Sequence, residues 1–152
     1  MQQLKILNSK ETKRILKHLE MQFGFCEKPH LVFMINSKDK IYVINRDVEK
    51  IDLSVLRIDC LGLYFGTVCI DGVRLSIEGS QIIGPKSNKN ILKLSKQDFE
   101  KWLKGEDFEI DTKLSGFVLI KHEKDFIGCG KAKNGLLMNF VPKSRRLKVV
   151  NN

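Results

Sequence analysis

Four cations follow a single proline near the end of the sequence: Lys143, Arg145, Arg146 and Lys148 lie within six residues after Pro142. Side chains of this kind make and break no bonds by themselves. They pair with anions: a guanidinium forks onto a phosphate or stacks on a base, and an ammonium acts as a point charge. Lys131 and Lys133 alternate just upstream and could widen the patch. From Gly116 to Val149 there are eight Lys/Arg and two Asp/Glu, so this segment holds +6 of the chain's +9. Positive charge concentrated on a folded segment points to a polyanion, most simply RNA or DNA. The competing reading is a solubilising tail. Leu147, Val149 and Val150 argue against it, because they turn the end of the basic run into a packed final strand. In an extended run, alternation puts Lys143 with Arg145 on one face and Arg146 with Lys148 on the other.

Bond-making chemistry has no such concentration. His18, His30 and His122 form no motif with a Cys or Ser nucleophile, and no nucleophile elbow, phosphate loop or zinc-protease pattern occurs. Gly128-Cys129-Gly130-Lys131 is too short for a nucleotide loop, and its glycines read as bends or places of close backbone approach within a strand. Cys26, Cys60, Cys69 and Cys129 contain no C-x-x-C pair and have no His at metal spacing, so they read as reduced core thiols. No catalytic residue, metal or cofactor is expected. No signal peptide or membrane-length apolar run is visible, and a cytoplasmic protein without membrane contact is the expectation.

The elements that must carry the cations can be traced from pattern. Ile15, Leu19 and Phe23 recur at helical spacing, with Ser9 as the cap and Gly24 as the stop, and Lys13, Arg14, Lys17 and His18 form the opposite face. That basic face reads first as a solvated helix surface and second as further RNA-binding surface. Apolar runs at 31–35 and 41–44 flank a polar loop. Asp47 could cap a short helix through Val48 and Ile51. A run at 61–70 leads through Asp71-Gly72 into the alternating Val73, Leu75 and Ile77. Gly84 to Asn90 lacks any large apolar side chain and reads as a linker or domain boundary. A short strand at Ile91, a helix capped by Ser95 and ended by Gly105, and strands joined by Asn134-Gly135 follow it. The expected class is α+β, with one domain over residues 1–86 and a second, small β domain over 90–152.

Gly128-Cys129-Gly130-Lys131-Ala132, followed by Asn139-Phe140-Val141-Pro142-Lys143-Ser144-Arg145-Arg146, resembles a PUA domain, a small pseudo-barrel that binds structured RNA. The segment Leu103-Lys104-Gly105-Glu106-Asp107 is similar to that module's helix and glycine loop. Cys60-Leu61-Gly62-Leu63-Tyr64-Phe65-Gly66 with Val73-Arg74-Leu75 resembles the α/β pre-PUA domain of the Nip-seven ribosome-biogenesis family. The resemblance implies a non-catalytic protein of archaeal type that binds rRNA or tRNA through Lys143, Arg145, Arg146 and Lys148. It also implies ribosome-assembly proteins as partners. A similar domain pair, with a similar PKSRRL ending, occurs fused to RNA cytosine methyltransferases. With no S-adenosylmethionine-binding half expected here, the alternative is an accessory subunit delivering RNA to a methyltransferase acting in trans.

Overall fold

The computed structural model describes residues 3–47 and 62–148. Among these residues, ten strands form two five-stranded sheets, with three helices. The first sheet is an antiparallel meander in chain order: β1 (Lys5–Ile6), β2 (Leu31–Ile35), β3 (Lys40–Asn45), β4 (Leu63–Cys69) and β5 (Gly72–Leu75). The second has the order β6 (Ile91–Lys93), β8 (Gly116–His122), β9 (Asp125–Lys133), β10 (Leu136–Met138), β7 (Phe108–Glu109). Only β6 and β8 run parallel in it. The α+β class expected from the pattern is the observed one.

Helix α1 (Ser9–Phe23) lays Ile15, Leu19 and Phe23 on the first sheet. Its cap is Asn8, one residue before the expected Ser9: the Asn8 side chain accepts from the Glu11 N–H, and the Glu11 carboxylate accepts from the Asn8 N–H. An amide oxygen serves this reciprocal box as well as a hydroxyl does. Gln22 donates to the Val73 carbonyl (2.9 Å) and accepts from the Val73 N–H (2.8 Å), which covers the open edge of β5.

Two segments differ from the sequence expectation. Ile77 does not continue the alternation of β5. Ser76 accepts from the Gly79 N–H and starts helix α2 (Ile77–Ile83), which buries Ser80 and Ile83. The reason is a change of period at a good cap, from two to three, within too few residues to register as a helix. The segment read as a linker or domain boundary is fastened to α1. Gly84–Lys86 is a 3-10 turn. The Asn88 and Lys89 N–H groups donate to the Phe23 carbonyl, and the Asn90 side chain donates to that of Gln22. Polar residues here close the unsatisfied C-terminal carbonyls of α1. The short helix expected after Asp47 falls outside the described residues.

One core cluster joins the sheets. Leu19, Phe23, Phe33, Phe65 and Ile83 from the first half pack with Phe117, Leu119, Phe126 and Cys129 from the second. A second cluster lies on the far side of β8, where Val118 and Ile120 meet Leu92, Trp102, Ala132 and Leu137. Trp102 comes from helix α3 (Lys96–Leu103), capped by Ser95 as expected. Leu19→Ala should therefore cost about 3 kcal/mol. Thermal melts followed by circular dichroism and by fluorescence of Trp102, the sole Trp of the chain, should lose the same midpoint. A Trp102 midpoint that stays put while the dichroism midpoint falls would mean the halves unfold separately.

Candidate nucleic-acid interface

The basic run leaves the second sheet through Asn139. Its side-chain amide donates to the carbonyls of Trp102 (2.8 Å) and Glu106 (3.2 Å), and its oxygen accepts from the Val141 N–H (2.8 Å). Its own N–H donates to the Asp107 carboxylate (2.8 Å). Pro142, at φ −58°, then turns the chain into a 3-10 turn at Lys143–Arg145.

The expected final strand is absent from the described residues. The Arg145 N–H donates to the Pro142 carbonyl and the Leu147 N–H to that of Leu103, so neither is free for a ladder. Leu147 is 55% exposed, and Val149 and Val150 lie outside the described residues. The two-faced arrangement of the cations therefore does not form.

The six expected RNA-binding cations fall into two groups. Arg146 is a strap: its Nε donates to the Val141 carbonyl (3.0 Å), and its guanidinium fills the space a side chain on Gly105 would need. A Cβ on Gly105 would stand 2.2 Å from that nitrogen, and the residue's φ of +81° also favours glycine. Arg145 pairs with Glu78 of α2. Lys131 pairs with Asp71 at the β4–β5 turn and lies 5.3 Å from the Phe117 ring centroid. That bond holds the Asp71 carboxyl below the usual carboxylate range. Lys133, Lys143 and Lys148 are exposed and have no ion pair among the described residues. Lys143 and Lys148 flank the turn, and Lys133 ends β9 beside the Asn134-Gly135 hairpin. On α1, Lys13, Arg14, Lys17 and His18 are all exposed.

The glycines of Gly128-Cys129-Gly130 do what close approach requires. A Cβ on Gly128 would lie 3.1 Å from Trp102 Cζ2, and one on Gly130 3.1 Å from Trp102 Cη2. The indole packs against β9 because neither position carries a side chain. Cys129 is buried, and burial pushes its thiol up to about 12. It is a packing group with little thiolate at neutral pH. Cys26 departs from the expectation of a core thiol: it is exposed, because it follows the buried Phe25 out of the α1 stop. Cys60 lies outside the described residues.

His122 stacks on Phe99 (3.9 Å between centroids), and its Nδ1 lies 3.3 Å from the Leu94 carbonyl. His30 pairs with Asp47, and His18 is exposed on α1. Among the described residues, no three His, Cys, Asp or Glu side chains gather as a metal would need. No helix there is long and apolar enough to cross a membrane.

Sequence reasoning missed Arg74, Phe140, Lys40 and Tyr64. The Arg74 guanidinium lies 4.6 Å from the Phe140 ring centroid, and Lys40 Nζ lies 5.7 Å from that of Tyr64. These are cation–π pairs at a half-buried surface. No motif signals them, because each pair joins distant parts of the chain or crosses two strands.

Residues 89–147 match the family model described as the Methyltransferase RsmF PUA domain. The match starts two residues before β6 and ends just past the basic turn, so it takes in the whole second sheet. No curated protein matches the chain. The second half is thus a PUA domain, behind an α+β unit in the pre-PUA position, and a PUA domain supports RNA binding.

Two outcomes follow from this geometry. Arg146→Ala should lower stability by about 1 kcal/mol, while Lys143→Ala stays within about 0.5 kcal/mol, as read by urea melts. Maleimide labelling of the folded protein, mapped by peptide mass, should modify Cys26 at once and Cys129 only after unfolding. Equal labelling rates would contradict the buried position of Cys129.

Proposed function

We propose that this chain is a non-catalytic RNA-docking protein of rRNA processing or ribosome assembly, holding RNA on its PUA half. The observation that carries the reading is the coincidence of the PUA match with a pinned basic turn whose Lys143 and Lys148 are unpaired. Asn139 and Arg146 fix the turn, so the lysines are presented without a large ordering cost. Lys133 extends the positive surface along β9. Arg145, held by Glu78, adds a guanidinium that can share a phosphate. Recognition at the basic turn is by backbone and shape, since Phe117 and Phe126 are buried in the core and unavailable for stacking. The assembly role rests on the order of the two units, which resembles that of the Nip-seven family. The α1 face is a second basic surface in this reading.

A second reading draws support from the matched model, which is named for a methyltransferase. In it the chain delivers RNA to a methyltransferase acting in trans. Crosslinking in cells separates the two: recovery of ribosomal precursors supports the first, and recovery of a methyltransferase without them supports the second.

RNA contact through about four phosphates should give a log affinity against log salt slope of about −3 on single strands. Replacing Lys143 and Lys148 together by Ser should flatten it to about −1.5 with the melting temperature unchanged. A slope that the double substitution leaves alone would move the RNA surface elsewhere.

A further inference from the structure

Between the two halves lies a cleft of about 250 Å³ that the basic turn borders but does not fill. Its walls join the first sheet and α2 to β9 and the Asn139–Arg145 segment. Three cations reach it: Lys40, Arg74 and Arg145. Only one carboxylate, Glu78, faces them, and it is paired with Arg145. Arg74 and Lys40 have no carboxylate partner among the described residues. Each instead lies over an aromatic ring that also borders the cleft, Phe140 for Arg74 and Tyr64 for Lys40.

The same cleft is bordered by Trp102, and the indole Nε1 is the one buried side-chain polar atom among the described residues without a hydrogen-bond partner. A buried donor left unmade is unfavourable, and a native structure keeps few of them. Nε1 sits 3.6 Å from where a Cβ of Gly128 would stand, and Gly128 also borders the cleft. A side chain there would crowd the wall beside the donor.

The cleft thus offers two cations without a carboxylate partner, the aromatic rings they lie over, and one unsatisfied donor buried in its wall, in a space below the usual range for drug-sized ligands. An anionic, planar group with a hydrogen-bond acceptor matches all three features, and a single nucleotide is such a group. Arg145 and Pro142 belong both to the cleft wall and to the basic turn. A strand held by the turn therefore passes the cleft mouth. We infer that the cleft takes one unstacked nucleotide of the bound RNA, with Arg74 and Lys40 meeting its phosphate and an acceptor of the nucleotide satisfying Trp102 Nε1. This rests on the RNA-docking reading above.

Trp102 is the sole Trp of the chain and lines the cleft wall, so its emission is the readout for the cleft. The full chain is titrated with oligouridylate and oligoadenylate, and separately with uridine and adenosine 5′-monophosphates. Gel shifts run on the same samples. RNA should perturb the Trp102 emission over the concentration range of the gel shift. Arg74→Met should weaken the RNA-induced change about tenfold, the loss of one charge-assisted phosphate contact. Lys40→Met tests the same site should the Arg74 variant fail to fold. A gel shift with unchanged Trp102 emission would overturn the cleft and leave RNA docking standing. Loss of both signals would overturn both readings. A response to the monophosphates with none to RNA would make the cleft a free-nucleotide site and overturn its link to RNA. Emission responses of both variants equal to the parent's would likewise overturn it.

Discussion

Strand β8 is buried on both faces, and this constraint organises the molecule. Phe117 and Leu119 turn toward the core shared with α1 and the first sheet, while Val118 and Ile120 turn toward Trp102 and the core of the second. A strand with one solvated face alternates apolar and polar residues. A strand covered on both sides has no polar position, which is why Phe117 to Ile120 reads as an unbroken apolar run. Its neighbours inherit the constraint. Strand β9 supplies Phe126 and Cys129 to one core and Ala132 to the other. Helix α2 closes the seam, with Ile83 in the shared core.

The packing of Trp102 links this scaffold to the surface. The indole rests on two glycines of β9, its backbone carbonyl holds Asn139, and Asn139 sets the direction in which the chain enters the basic turn. Arg146 then ties the far side of the turn to Val141 and to the bare Gly105. The cations are presented by a chain of contacts that begins in the core. Of the four in the basic run, the structure uses Arg146 to hold the turn and pairs Arg145 with the other half, leaving Lys143 and Lys148 open.

Elements with a local signal were legible. Ser95, Asn134-Gly135 and the stop at Gly24 each act within a few residues, and each stands where expected. The elements read incompletely were those in which a tertiary partner supplies the missing groups. The segment 84–90 has the composition of a linker because its polar groups serve the end of α1, which lies more than sixty residues earlier in the chain. The final segment has the composition of a strand, yet its N–H groups are taken by Pro142 and Leu103.

By itself the sequence determined the sign and place of the charge, the α+β pattern, the turns, and the lack of any recognisable catalytic motif. All of these depend on residue type and short-range periodicity. Only the tertiary structure decided which cations are free. Whether Arg145 meets Glu78, or Arg146 meets Val141, depends on where segments distant in sequence are brought together by the two cores around β8. The cleft with Arg74, Phe140 and the unpartnered Trp102 donor belongs to the same category. It is a property of the seam between two halves, and no single stretch of the chain contains it.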